Sequence, residues 1–209
     1  MNACFALAVL VVLASPCRAR TVDGTCGTFP ASVMAAPYNG ASDCILHTVG
    51  ERPLWHGIAE KSVRQKIRFT FTDGHGRYLR TLDLTEHADG SGNLVLKSIA
   101  RDDDGRWVIS SQHSRRLSAE QVLRIDALSQ AAGVWDFPVG SWDGDVNSKR
   151  GRGSIYLHCE MLEMERATPD DYRFSSINIS CNHPAKLMPL VDYITDLARL
   201  KPALGGLLY

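Results

Sequence analysis

Ile67-Arg68-Phe69-Thr70-Phe71-Thr72 decides the fold class. Ile67, Phe69 and Phe71 alternate with Arg68, Thr70 and Thr72, so apolar side chains recur at every second residue. That period puts them on one face of a half-buried strand. Asp73-Gly74-His75-Gly76 supplies a turn, and the alternation resumes over Tyr78 to Leu84, with Tyr78, Leu82 and Leu84 sharing a face. The two runs read as a hairpin. A polar turn over Ala88 to Asn93 leads to Leu94-Val95-Leu96 and Ile99, and Asp102-Asp103-Asp104-Gly105 closes a second hairpin onto Trp107-Val108-Ile109.

C-terminal to these strands lies the clearest helix signal. Ser118 followed three residues later by Gln121 fits a capping box. Val122, Ile125 and Leu128 follow at helical spacing with Leu123 beside them, and Gly133 is a natural stop. Val134-Trp135-Asp136-Phe137-Pro138 is expected to re-enter the core as a short extended segment. Two more strands are expected over Ile155 to Met161 and Phe174 to Cys181. A last amphipathic helix is predicted from about Ala185 to Leu200, its stripe formed by Leu187, Leu190, Val191, Ile194, Leu197 and Ala198. Pro189 falls in or near the first turn, where proline is tolerated. The expected fold is α+β, an antiparallel β-sheet with two main helices, stapled by disulfides.

At the other end, Ala3 to Ser15 form an unbroken apolar run, followed by Pro16 and Cys17-Arg18-Ala19. Small residues at −3 and −1 of a cut after Ala19 match a secretory signal peptide over residues 1–19. The run makes roughly 20 Å of helix, short of the about 30 Å of a bilayer core. Residues 20–209 are then expected to form a single domain with no membrane span, secreted or periplasmic. Its first part, 20–66, reads as loop-rich, with Cys44 to Val49 as a short strand and Leu54-Trp55 as an apolar anchor.

Charge is balanced, with 23 basic and 23 acidic residues, and only Arg18 leaves with the signal. A nucleic-acid binder would carry a basic excess. Six cysteines become four when Cys4 and Cys17 depart, and an even number in an exported chain reads as two disulfides. Of the three possible connectivities, the local pairs Cys26–Cys44 and Cys159–Cys181 are favoured.

No sequence motif names a chemistry. The histidines show no H-E-x-x-H or similar ligand spacing, no C-x-x-C occurs, and no nucleophile elbow or phosphate loop is present. Neither a metal nor a cofactor is expected, and no residue is assigned a catalytic role. Val139 to Gly153 is a long polar loop. Trp142 and Arg150 within it are the residue types enriched at binding hot spots, and they are the candidate contact residues.

The succession Gly50-Glu51-Arg52-Pro53-Leu54-Trp55, Arg68-Phe69-Thr70, Leu117-Ser118-Ala119-Glu120-Gln121 and Gly133-Val134-Trp135-Asp136-Phe137-Pro138 resembles uncharacterised exported bacterial proteins that combine such segments. The C-terminal half is also similar to small metalloprotease inhibitors of the emfourin type. The first resemblance implies a bacterial envelope protein, and the second an inhibitor. The functional expectation is a non-enzymatic binding or interaction module for an envelope or secreted protein, protease inhibition being one form of it. The alternative is a cell-envelope hydrolase whose site is assembled from residues distant in sequence.

Overall fold

The computed structural model describes residues 26–34, 40–73, 76–135, 160–182 and 184–199. In chain order the elements are α1 (Ala31–Met34), α2 (Gly40–Thr48), β1 (Val63–Thr72), β2 (Tyr78–His87), β3 (Gly92–Arg101), β4 (Trp107–Leu117), α3 (Ala119–Ala132), β5 (Met161–Ala167), β6 (Tyr172–Asn178), α4 (Ile179–Asn182) and α5 (Met188–Leu197). The six strands form one sheet, ordered β4-β3-β2-β1-β5-β6, and every neighbouring pair is antiparallel. The expected α+β class with an antiparallel sheet is what the chain adopts.

One face of the sheet carries Ile67, Phe69, Leu82, Leu84, Leu94, Leu162 and Met164, which pack under α3 and α5. Helix α3 starts where its capping box places it: Gln121 N–H donates to Ser118 Oγ at 3.3 Å, and Ser118 N–H donates to Gln121 Oε1 at 3.1 Å. Gly133, at φ 70°, ends the helix in the left-handed conformation that glycine adopts without a Cβ clash. Val122 and Ile125 are buried, whereas Leu123, expected beside them, is 59% exposed. Val134 and Trp135 are buried as expected, in the turn leaving α3, and the rest of the expected extended segment, Asp136 to Pro138, lies outside the described residues. In α5, Leu190, Val191, Ile194 and Leu197 are buried, with Pro189 in the first turn.

The opposite face was expected to be the wet side of a half-buried strand. It is not: Arg68 is 3% exposed and Thr70 1%. Described parts of the segment read as loop-rich, 20–66, cover it, through Phe29, Val33, Ser42, Leu46 and Glu51. Residues Gly40–Thr48, expected to include a short strand from Cys44, are the helix α2. A short apolar run has no period long enough to separate the two states, and here the buried residues Ser42, Asp43 and Leu46 take helical spacing. Phe29, Val33 and Leu46 form a second, smaller core with Leu79, Ile99 and Phe174. The sheet therefore lies between two layers, a thick helical one and a thin N-terminal one. The expected anchor Trp55 is 39% exposed, its ring 4.1 Å from that of His56.

Of the two strands expected at the end of the sheet, Ile155 to Met161 lies outside the described residues except for its last two, and the Phe174 to Cys181 strand begins two residues earlier and ends three residues earlier than expected. The described strands form a hairpin. Its strands are Met161–Ala167 and Tyr172–Asn178, and the turn between them contains Pro169 and Asp170. Glu163 and Glu165 obscured the strand, because two carboxylates read as solvated residues, yet both are buried under the N-terminal layer. Cys181 consequently lies in the helical turn α4 and not in a strand. Cys159 lies outside the described residues, so the Cys159–Cys181 pairing does too.

Candidate functional site

Two polar constellations flank the sheet, one on each face. On the N-terminal side, register assembles charges from distant segments. Arg68 faces Asp83 on β2 and Glu165 on β5 in the same cross-strand row. Its Nε donates to Asp83 at 2.7 Å, Nη1 to Glu165 at 3.4 Å, and Nη2 to Glu51 at 3.2 Å and to the Arg52 carbonyl at 3.2 Å. Lys97 on β3 adds a second cation, bonding Glu51 and lying 3.0 Å from Asp83. Tyr172 donates its hydroxyl to Glu165 at 2.9 Å. Glu51 and Arg68 belong to the Gly50–Trp55 and Arg68–Thr70 segments quoted above, so those two stretches meet physically.

The charge balance of this cluster sets its protonation. Two cations, Arg68 and Lys97, face four carboxylates: Glu51 and Asp83 take the closer contacts, Glu165 shares Arg68 at 3.4 Å, and the neighbouring Glu163 bonds Ser42 instead. Burial opposes the charge on Asp83, but Arg68 and Lys97 both attract and bond it, and its carboxyl ends below the ordinary range. Burial pushes Glu165 up to about 7, against a longer contact with Arg68, and pushes Glu163 up to about 8. Glu163 accepts a hydrogen bond from Ser42 at 2.7 Å. Thr81, Thr70 and Glu163 stand in one cross-strand row, and each holds a buried polar atom without a hydrogen-bond partner. This network is closed in by the N-terminal layer and locks that layer to the sheet.

The same layer is fixed by Asp43. Its carboxylate accepts from Phe29 N–H at 2.8 Å and from Cys26 N–H, and its carbonyl accepts from Thr28 at 3.0 Å. Cys26 and Cys44 come within disulfide-bonding distance, with Cα atoms 4.9 Å apart. Cys26, Asp43 and Cys44 also bring three potential ligand atoms within 4.8 Å. Both Asp43 oxygens are engaged by main-chain donors, an arrangement suited to a structural carboxylate beside a cysteine pair.

The helical face holds the open site. A groove of about 700 Å³ runs between β3, β4 and the C-terminal end of α5. Leu94, Leu96 and Leu197 give it an apolar floor, and Arg80, His113, Arg115 and Arg199 its charged rim, with Ser98 and Ser111 beside them. No acidic residue lines it among the described residues. Arg115 Nη1 donates to the Leu197 carbonyl at 3.0 Å and so ties α5 to the sheet. Arg80 lies over the Tyr78 ring at 5.1 Å, and its Nη1 has no hydrogen-bond partner. Arg199 sits at φ 54°, a conformation costly for a residue with a Cβ, immediately after α5.

The residues singled out from sequence distribute unevenly over this picture. Trp142 and Arg150 lie outside the described residues. The Asp102–Gly105 turn is a hairpin turn: Asp102 accepts from Asp104 and Arg106 N–H groups, and Arg106 pairs with Asp102 and Asp104. The groove residues carried no motif. Arg80 and Arg115 lie inside strands β2 and β4, and only the register, which aligns Arg80 with Ser98, Ser98 with Ser111 and Leu94 with Arg115, brings the groove residues to one place. No helix among the described residues is long and apolar enough to cross a membrane. No protein-family model matches the chain, and no curated protein matches it.

Proposed function

We propose that the chain is a non-enzymatic binding module of an exported compartment, and that the groove beside β4 holds an anionic, amphipathic ligand. The observation that carries this reading is the lining itself: a leucine floor under a rim of arginine and histidine, with no described carboxylate. Ligand sites join apolar area to a few polar groups that fix orientation. The backbone at Arg199 adds support, because non-glycine residues at positive φ cluster at functional sites.

Cleavage chemistry has less support. A hydrolase built on this groove would need its histidine, His113, to meet a carboxylate of raised pKa. Glu160 is such a carboxylate, pushed up to about 7 by burial and by Asp73 against the attraction of Arg80. It precedes β5, however, while His113 is on β4. Four strand spacings separate those strands, about 19 Å of sheet.

On the same reading, Cys26 and Cys44 are oxidised in that compartment and staple the N-terminal layer. Reduction should then cost about 3 kcal/mol for a loop of this length. Inhibition of an exported protease is one activity such a module can perform, and the C-terminal resemblance favours it.

Calorimetric titration with dodecanoate tests the ligand chemistry. Binding should weaken about tenfold in Arg80→Gln, the loss expected for a charge-assisted contact, and dodecanol should bind far more weakly than dodecanoate. Equal affinity for the acid and the alcohol, or no change in Arg80→Gln, would refute it.

A further inference from the structure

We infer that the groove's occupant is an acidic, extended protein segment that adds to the sheet as a strand along β4. The inference rests on the groove reading above and names the class of partner. β4 is the edge of the described sheet, and most of its residues are exposed. An edge strand points alternate N–H and C=O groups outward, ready to pair with another chain.

Three observations join that edge to the groove. First, His113, Ser114 and Arg115 all line it. Successive side chains of a strand point to opposite faces. A groove touching three consecutive residues therefore follows the strand's main chain as well as its side chains. Second, Trp107 to Leu117 contains no acidic residue, and Arg115 and Arg116 stand together at its C-terminal end. With Arg80 and Arg199 on the groove rim, the edge is complementary to a negative strand. Third, Leu94, Leu96 and Leu197 form the floor beside it. A strand laid on the edge would send every second side chain toward His113 and Arg115, which stand in register between it and Leu96 and Leu94 on β3. Alternate carboxylates would then meet the cations, the pattern by which strand addition joins main-chain affinity to side-chain specificity. From Ser111 to Arg115 the edge offers about 17 Å, room for roughly five residues.

The test uses the intact protein and blocked pentapeptides of alternating glutamate and leucine. A lysine–leucine counterpart probes charge. The glutamate–leucine peptide N-methylated at every second amide, in each of the two registers, probes main-chain pairing without altering the protein. The acidic peptide should bind at least tenfold more tightly than the basic one. One N-methyl register should abolish binding, and alternate β4 amides should exchange at least tenfold more slowly in the complex. Two results would overturn strand addition: retained affinity in both N-methyl registers, or unchanged exchange along β4. If dodecanoate still binds and Arg80→Gln still weakens it, the groove reading survives that failure. If neither dodecanoate nor the acidic peptide binds, both fall together.

Discussion

Arg68 donates from Nε to Asp83 at 2.7 Å across the β1–β2 pair, and both residues lie beneath the N-terminal layer. The bond sits at the centre of a cluster whose members come from residue 51, β1, β2, β3, β5 and β6. A buried pair of this kind adds little over an apolar replacement of the whole cluster. Removing one partner is another matter, because the remaining charges lose their compensation. Arg68→Met should therefore destabilise by about 3–5 kcal/mol in denaturant unfolding, with Arg68→Lys in between because it keeps the charge and loses the fork. A loss below about 1 kcal/mol would mean that the cluster is solvated.

Glu163 makes stability fall with pH. In the folded chain its carboxyl holds a proton up to about 8, whereas its ordinary value is 4.5. Between those values the folded state binds more protons than the unfolded one, so stability decreases as pH rises and levels off above about 8. Glu160 and Glu165 act with the same sign up to about 7. Glu163→Gln copies the protonated form. It should match the wild type near pH 4.5 and exceed its Tm by several degrees at pH 8. Parallel Tm curves across that range would contradict this assignment.

Arg199 should trade stability against binding. Glycine at φ 54° carries no Cβ penalty, so Arg199→Gly should gain up to about 1 kcal/mol. The same change removes a cation from the groove rim and should weaken dodecanoate several-fold. Stability gained with affinity intact would show that the strained backbone serves no ligand.

Gly92 lets β3 pack tightly against Val122 of α3. A Cβ there would lie 2.8 Å from Val122 Cγ2 and 3.0 Å from Leu84 Cδ1, both buried side chains. Gly92→Ala should cost about 1–3 kcal/mol through overpacking. Restoration by the double variant Gly92→Ala with Val122→Ala would locate the cost in that contact.

What could be read in the sequence was local. The Ile67–Thr72 alternation, the Ser118–Gln121 box and the Gly133 stop depend on residues within a few positions of one another, and each appears where it was expected. The second layer could not be read that way. Arg68, Glu163 and Glu165 look solvated in one dimension, and only α2 and the segment ending in Glu51 make their burial possible. The groove was hidden for the same reason. Arg80, Ser98 and Ser111 share no motif and meet only through strand register. Spacing suggested the Cys26–Cys44 pair because its loop is short, but it did not show that Asp43 organises the turn around it.

The most direct test of the account is a map of where an anionic amphiphile binds. In ¹⁵N-labelled protein titrated with dodecanoate, the shifted amides should centre on Leu94, Leu96, His113, Arg115 and Leu197, and the shifts should largely vanish in Arg80→Gln. Shifts centred on exposed apolar residues outside the groove, Trp55, Val108, Ile109 or Leu123, and unchanged by Arg80→Gln, would contradict the assignment of the groove as the binding site.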